Sequence, residues 1–266
     1  MSSGSSPIER WRETLPAWGI PQEIIDRAPE SPWVHPPAMF VAEPTDRTLA
    51  TPSHRAARVA LADSGTVLDV GCGGGRSSVA LAAAATSITG IDDNPAMLAN
   101  FAAACDAAGV AHREIAGAWP SISGGVETHD VVVCHHVVYN VVDIEPFVVA
   151  LADHARRRVV VELSERHPTT PFSRLWKHFW NIDRPTEPSA DLFVAVVRSL
   201  GYAPTVERLT RPPRKPTIER ADYIAFVRRR LCLTPDRDGD IAAVLGDLTD
   251  FADESIVTVF WPAIAR

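Results

Sequence analysis

The stretch LDVGCGGGRSS, residues 68–78, holds the first residues that could do chemistry. Gly71, Gly73, Gly74 and Gly75 stand between an apolar run and an alanine-rich one. Glycines there allow a tight turn, and their lack of a Cβ lets a ligand approach the backbone. A helix starting just after them would present unpaired N–H groups. This is the layout of a nucleotide cradle. A dinucleotide-binding turn requires G-x-G-x-x-G, and the place of its third glycine holds Arg76. Asp69, two residues before Gly71, would repel a pyrophosphate. It suits a ligand that carries a cationic ammonium group.

A second set of polar residues sits further along. His135 and His136 end an apolar run, with Tyr139 and Asn140 just after it. Glu162 and Ser164 end another, with His167 beyond. Open α/β sheets bind ligands at the carboxyl ends of their strands. Side chains alternate along a strand, so one of the two adjacent histidines faces the cleft, and His136, nearer the end, is the expected one. A structural hydrogen bond is the competing role for each histidine.

The elements that must position these residues alternate from residue 66 onward. TVLDV, SITGID, HREIAG, DVVVCHH and RRVVVELS read as strands. RSSVALAAAA, PAMLANFAAACDAAG, IEPFVVALADHA and ADLFVAVVRSLG read as helices, with Pro95 near a first turn and Gly201 at an end. Such alternation gives a parallel sheet with helices on both faces. TVERLT and SIVTVFWPA supply two further strands, with helices over 218–231 and 237–249 between them. SHRAARVALAD, residues 53–63, is a helix leading into the core. Residues 165–188 interrupt the alternation with prolines and large aromatics around a short helix at about 172–180.

The pattern D-x-G-x-G-x-G, Asp69 to Gly75, resembles the first motif of class I S-adenosylmethionine-dependent methyltransferases. GIDDNPAML resembles that family's second motif, whose first acidic residue, here Asp92, binds the ribose hydroxyls. One carboxylate can accept two hydrogen bonds from a vicinal diol, each charge-assisted. Asp93 and Met97 resemble positions flanking the adenosyl group, and CHHVVYNV resembles the segment beside the methionine moiety and the acceptor. After the third strand the family often has Asp and an apolar residue gripping adenine. Ala118 and Trp119 stand there, leaving backbone N–H groups and the indole to do this. The resemblance covers residues 60–165 well, and 190–210 and 252–262 in outline.

It implies a doubly wound, mostly parallel seven-stranded α/β sheet with an antiparallel last strand, and S-adenosyl-L-methionine as cofactor. The cofactor site is expected at Asp69, Gly71, Cys72, Gly73, Gly75, Asp92, Asp93, Met97, Ala118, Trp119 and His135. The catalytic candidates are His136, Tyr139 and His167. The competing readings are a turn cap for Asp69 and an Asx turn before Pro95 for Asp92. Methyl transfer requires in-line placement and exclusion of water. A general base is needed where the acceptor is protonated, as an alcohol or phenol is.

The expected organisation is an N-terminal helical and irregular lid segment (1–60), a cofactor-binding core (61–166), a lid insertion (167–190) and the rest of the core (191–266), itself inserted at about 211–251. Strand direction places both insertions on the cofactor side. Trp33, Phe40, Trp176, Phe179 and Trp180 would line a lid over a small, partly apolar acceptor, with Arg174, Lys177 and Arg184 close by. The formal net charge of −7 argues against a nucleic-acid partner. The four cysteines lack metal or redox spacing and are expected reduced, which with a polar N-terminus and no membrane-length apolar run fits the cytoplasm. The leading function is small-molecule methyl transfer, most simply to oxygen. The alternatives are a protein methyltransferase and a non-catalytic S-adenosylmethionine-binding protein.

Overall fold

The computed structural model describes residues 5–33, 51–62, 64–211, 219–246 and 254–263. Its centre is a seven-stranded sheet in the order β3-β2-β1-β4-β5-β7-β6. The strands are β1 (Gly65–Val70), β2 (Ala85–Asp92), β3 (Ala111–Ala116), β4 (His129–His135), β5 (Ala155–Ser164), β6 (Thr205–Arg211) and β7 (Glu254–Pro262). The first five pair in parallel, and β7 runs antiparallel to both β5 and β6.

The apolar runs of β1, β4 and β5 are buried on both faces, as parallel strands covered by helices must be. Leu68, Val132, Val159 and Val161 face one cluster, together with Phe147 of α5 (Ile144–His154) and Phe193 of α7 (Ala190–Ser199). Val67, Val131, Val133 and Val160 face the other, together with Ala57 of α3 (Pro52–Leu61) and Phe101 of α4 (Pro95–Ala108). Asn94 caps α4 through its side chain, Pro95 opens it and Gly109 closes it in the left-handed conformation. All four cysteines are buried free thiols.

The expected helix over RSSVALAAAA does not form. Residues 76–84 run as turns with a single 3-10 turn at Val79–Leu81. The hydroxyls of Ser77 and Ser78 are both drawn down onto Asp69, and β2 begins at Ala85. The segment therefore folds back before an α-helix can propagate.

The N-terminal segment is tied to the sheet. Helix α1 (Pro7–Thr14) starts with a reciprocal cap between Ser6 and Glu9. Its Trp11 is fully buried, donates to the Val141 carbonyl at 2.8 Å and stacks on Tyr139. Trp18 donates to the Glu187 carbonyl at 2.7 Å, and Arg10 pairs with the Glu187 carboxylate through two nitrogens.

A third apolar cluster lies apart from the sheet. It joins Ile24 of α2 (Gln22–Ile25), Leu175 and Trp176 of α6 (Ser173–Trp180), Tyr223, Phe226 and Val227 of α8 (Arg220–Arg230), and Ile241 and Leu245 of α9 (Asp238–Leu245). Residues from before β1, after β5 and after β6 thus pack on one another. Phe40 lies outside the described residues. Among the described residues, no helix is long and apolar enough to cross a membrane.

Candidate active site

The glycine turn leaves β1 and crosses to the end of β2. The N–H groups of Gly71 and Cys72 both donate to the Ile91 carbonyl, at 2.8 and 2.9 Å. Gly71, Gly73 and Gly75 take φ values of +70°, +50° and +84°, a region costly for residues with a Cβ. At Gly71 a Cβ would also lie 2.4 Å from Val137 Cγ2, so the chain after β4 closes over the turn. At Gly73 no atom lies within 4 Å of where a Cβ would stand, which leaves space against bare backbone. The Cys72 side chain is packed beneath the turn beside Gly90 and Phe101. Its backbone is what remains to serve a ligand.

Asp92 braces this turn. One carboxylate oxygen accepts the Gly73 N–H at 2.9 Å, and the other accepts the Asn94 N–H at the same distance. The second bond is the Asx turn anticipated as a competing reading. Each oxygen keeps a further lone pair, so the brace and a diol contact are compatible. Asp93 is exposed and Met97 half-buried in the first turn of α4. Ala118 is exposed. Trp119 is half-buried, with its ring edge-on to His154 at the end of α5 and its Nε1 without a partner.

Asp69 is fully buried, and one oxygen accepts from Ser77 and Ser78 at 2.5 and 2.6 Å. The other has no partner. Burial raises the carboxyl to about 6, and the two hydroxyls oppose the rise. An orphaned, buried carboxylate oxygen beside an open glycine turn is the environment an ammonium group would relieve. Asp69, Gly73 and Asp92 therefore fit an amino-acid-bearing nucleoside.

The second group centres on Glu162, buried at the end of β5. His136 Nε2 lies 3.3 Å from Glu162 Oε1, His135 Nδ1 lies 4.0 Å from it, and Ser53 donates to Oε2 at 2.6 Å. Burial alone would raise the Glu162 carboxyl. The two histidines and Ser53 outweigh it and hold the group below the usual carboxylate range. Burial pushes His135 down to about 3, so its ring is neutral near pH 7. His136 is the exposed member of the pair, but it lies just past the end of β4 and adopts φ +60°, so strand alternation does not set its direction. A partly exposed imidazole aimed by a buried carboxylate has the layout of a general base.

Tyr139 is a wall, with its hydroxyl donating to the Ser164 carbonyl at 2.9 Å and burial raising its pKa. His167 stacks on Trp18 with centroids 4.2 Å apart. Burial and the charges of Arg184 and Arg230 lower it to about 4. Its Nδ1 lies 2.8 Å from the Thr169 hydroxyl and 3.3 Å from the Thr169 backbone nitrogen. His167, Tyr139 and Asn140 line a cavity of about 330 Å³ with Trp18, Trp33, Phe172, Trp176, Arg184 and Arg230.

Sequence reading missed the residues behind this geometry. Ser77 and Ser78 stand visibly after the glycines, but nothing marked them as partners of Asp69. Ser53 and His54 belong to a helix read as core. His54 Nε2 contacts the Ser77 carbonyl at 3.0 Å, and Thr51 Oγ1 lies 2.6 Å from His54 Nδ1 and 2.9 Å from Ser53 Oγ.

Residues 67–159 match the family model described as a methyltransferase domain. No curated protein matches the sequence. Among solved structures, the YcgJ protein of Bacillus subtilis superposes with a TM-score of 0.55 at 14% identity, over 84% of this chain and 100% of that one. Magnesium protoporphyrin IX methyltransferase of Synechocystis PCC 6803, solved with bound SAH, gives 0.52 at 14% identity, over 95% and 92%. At these identities the likeness is one of fold. Residues 67–159 therefore form a methyltransferase domain, set in a sheet of the class I methyltransferase fold, which points to S-adenosylmethionine as its cofactor.

With Asp69 at the cofactor's ammonium, the raised carboxyl predicts an affinity that depends on pH. Between about pH 4 and 6 the buried group stays protonated in the folded protein, whereas it is ionised in the unfolded chain, so folding stability declines as pH rises through that window. An ammonium ligand favours the ionised form and must displace the proton. Affinity for S-adenosylmethionine should therefore rise about tenfold from about pH 5 to pH 7, with proton release. Calorimetry in buffers of different ionisation heat reads both. A flat profile would mean that Asp69 does not meet the ammonium.

Proposed function

We propose that the protein transfers the methyl group to an oxygen of a small, partly apolar acceptor, with His136 as general base. The observation that carries this reading is the His136–Glu162 pair, at the carboxyl ends of β4 and β5 and just before the turn that closes over the glycines. S-adenosylmethionine supplies a methyl group made electrophilic by its sulfonium, and the sulfur keeps the bonding pair when the methyl leaves. The rest falls to the chain. Asp69 and Asp92 hold the two ends of the cofactor, the first at the ammonium and the second at the ribose. His136 takes the acceptor's hydroxyl proton as the oxygen is alkylated, and Glu162 orients the ring and stabilises the imidazolium that forms. Oxygen, rather than an already nucleophilic amine or thiolate, is the acceptor atom for which such a base is needed.

The aromatic cavity beside Asn140 receives the acceptor and excludes water. His167 and Tyr139 are part of its wall. The N-terminal segment and the two insertions act as one lid. Arg174 is engaged with the Leu245 carbonyl and Lys177 with Asp183, so of the three cations noted in the insertion it is Arg184 that reaches the cavity. Incubation with methyl-labelled cofactor and a library of phenols, alcohols, carboxylic acids, amines and thiols tests the reading. Label should enter hydroxyl compounds of one or two rings. Transfer confined to nitrogen, carbon or protein would overturn it.

A further inference from the structure

The acceptor cavity holds two cations with no counter-ion. Arg184 lies between two indoles, its guanidinium 5.4 Å from the Trp18 ring centre and 5.0 Å from that of Trp176. Its terminal nitrogens donate to the backbone carbonyls of Trp18 and Gly19, and its buried Nε has no partner. Arg230 covers the Trp33 ring at 5.2 Å and donates to the Pro32 carbonyl at 3.2 Å. Among the described residues neither is paired with a carboxylate. Their neighbours behave otherwise: Arg228 pairs with Asp238 and Glu30, and Arg10 with Glu187. In a chain of formal net charge −7, two partly buried guanidiniums around one cavity stand out as an uncompensated positive site. Burial and mutual repulsion weigh on Arg184, and both cations weigh on His167.

We propose that Arg184 and Arg230 anchor the carboxylate of a planar, aromatic hydroxy acid, which is the class of acceptor this cavity takes. The proposal rests on the reading of the chain as a small-molecule oxygen methyltransferase and adds the acceptor's chemistry. The guanidinium fork matches a carboxylate's two oxygens, and indole walls suit a flat ring. About 330 Å³ accommodates one or two fused rings. A carboxylate so held has its lone pairs engaged, which makes it the handle. The methylated oxygen is then a separate hydroxyl of the same acceptor.

The test compares 2-naphthoate with 2-naphthamide, of equal shape but different charge, by calorimetry and tryptophan quenching. Wild-type protein should bind the acid at least about tenfold more tightly than the amide. The preference should weaken at high salt, fall about tenfold in Arg230→Gln and be largely kept in Arg230→Lys, with S-adenosylmethionine affinity unchanged in both variants. Equal affinity for acid and amide, no binding of the acid, or a preference that survives Arg230→Gln overturns the proposal. The acid-versus-amide comparison on wild-type protein decides it even where a variant misfolds. Acid preference without transfer to any hydroxyl would spare the subsite and remove the reading beneath it. Transfer to hydroxy acids and hydroxy amides alike would do the reverse.

Discussion

Asp92→Ala should lower affinity for S-adenosylmethionine by about two to four orders of magnitude while the protein stays folded. Charge-assisted hydrogen bonds to a carboxylate contribute about 1.5–3 kcal/mol each, and a ribose diol makes two. The structure adds a second cost. The same carboxylate holds the N–H of Gly73 and of Asn94, so its loss also frees the turn against which the cofactor is expected. Asp92→Asn keeps one acceptor oxygen but sets an amide N–H₂ where an acceptor is required, and should recover little. Calorimetry with circular dichroism as the folding control reads the effect. Undiminished affinity in a folded variant would reduce Asp92 to a strut of the turn.

His136 carries the second large effect. Replacing it by Asn, which tolerates the left-handed backbone found there, should lower kcat by about 10²–10⁴-fold. Cofactor affinity should change by less than about twofold, since the contact given up is the one to Glu162. The deficit should shrink as pH approaches the acceptor's own pKa, because an ionised acceptor needs no base. Glu162→Gln should give a smaller loss of the same kind. A His136→Asn enzyme with unaltered kcat on a hydroxyl substrate would remove the base from the mechanism.

The sheet was legible because its evidence is local. Valine-rich runs such as VVVC and RRVVVEL, punctuated by alanine-rich helices, sufficed to place β1 to β5 and α4, α5 and α7. The glycine turn and Asp92 were legible for the same reason, each lying within a few residues of a strand end. The helix expected after the glycines failed because alanine propensity is a weak force beside two serine hydroxyls captured by a buried carboxylate. Residues that meet only through the fold left no trace: Ser53 reaches Glu162 across 109 positions, and Arg230 comes beside Trp33 by the packing of α8. Trp119, expected beside adenine, meets His154 edge-on in the fold, a contact the sequence does not announce.

The start of α3 has a consequence for how the two halves of the reaction communicate. Within one helical turn, His54 grips the carbonyl of Ser77, whose hydroxyl sits on Asp69, while Ser53 grips Glu162. A rigid tilt of this helix cannot shift the surroundings of Asp69 and leave those of Glu162 untouched. Binding free energies linked through such a shared brace are reciprocal: whatever factor a bound cofactor confers on acceptor affinity, the acceptor must return to the cofactor. Cofactor and acceptor affinities are thereby expected to be joined through a helix that neither reactant needs to touch.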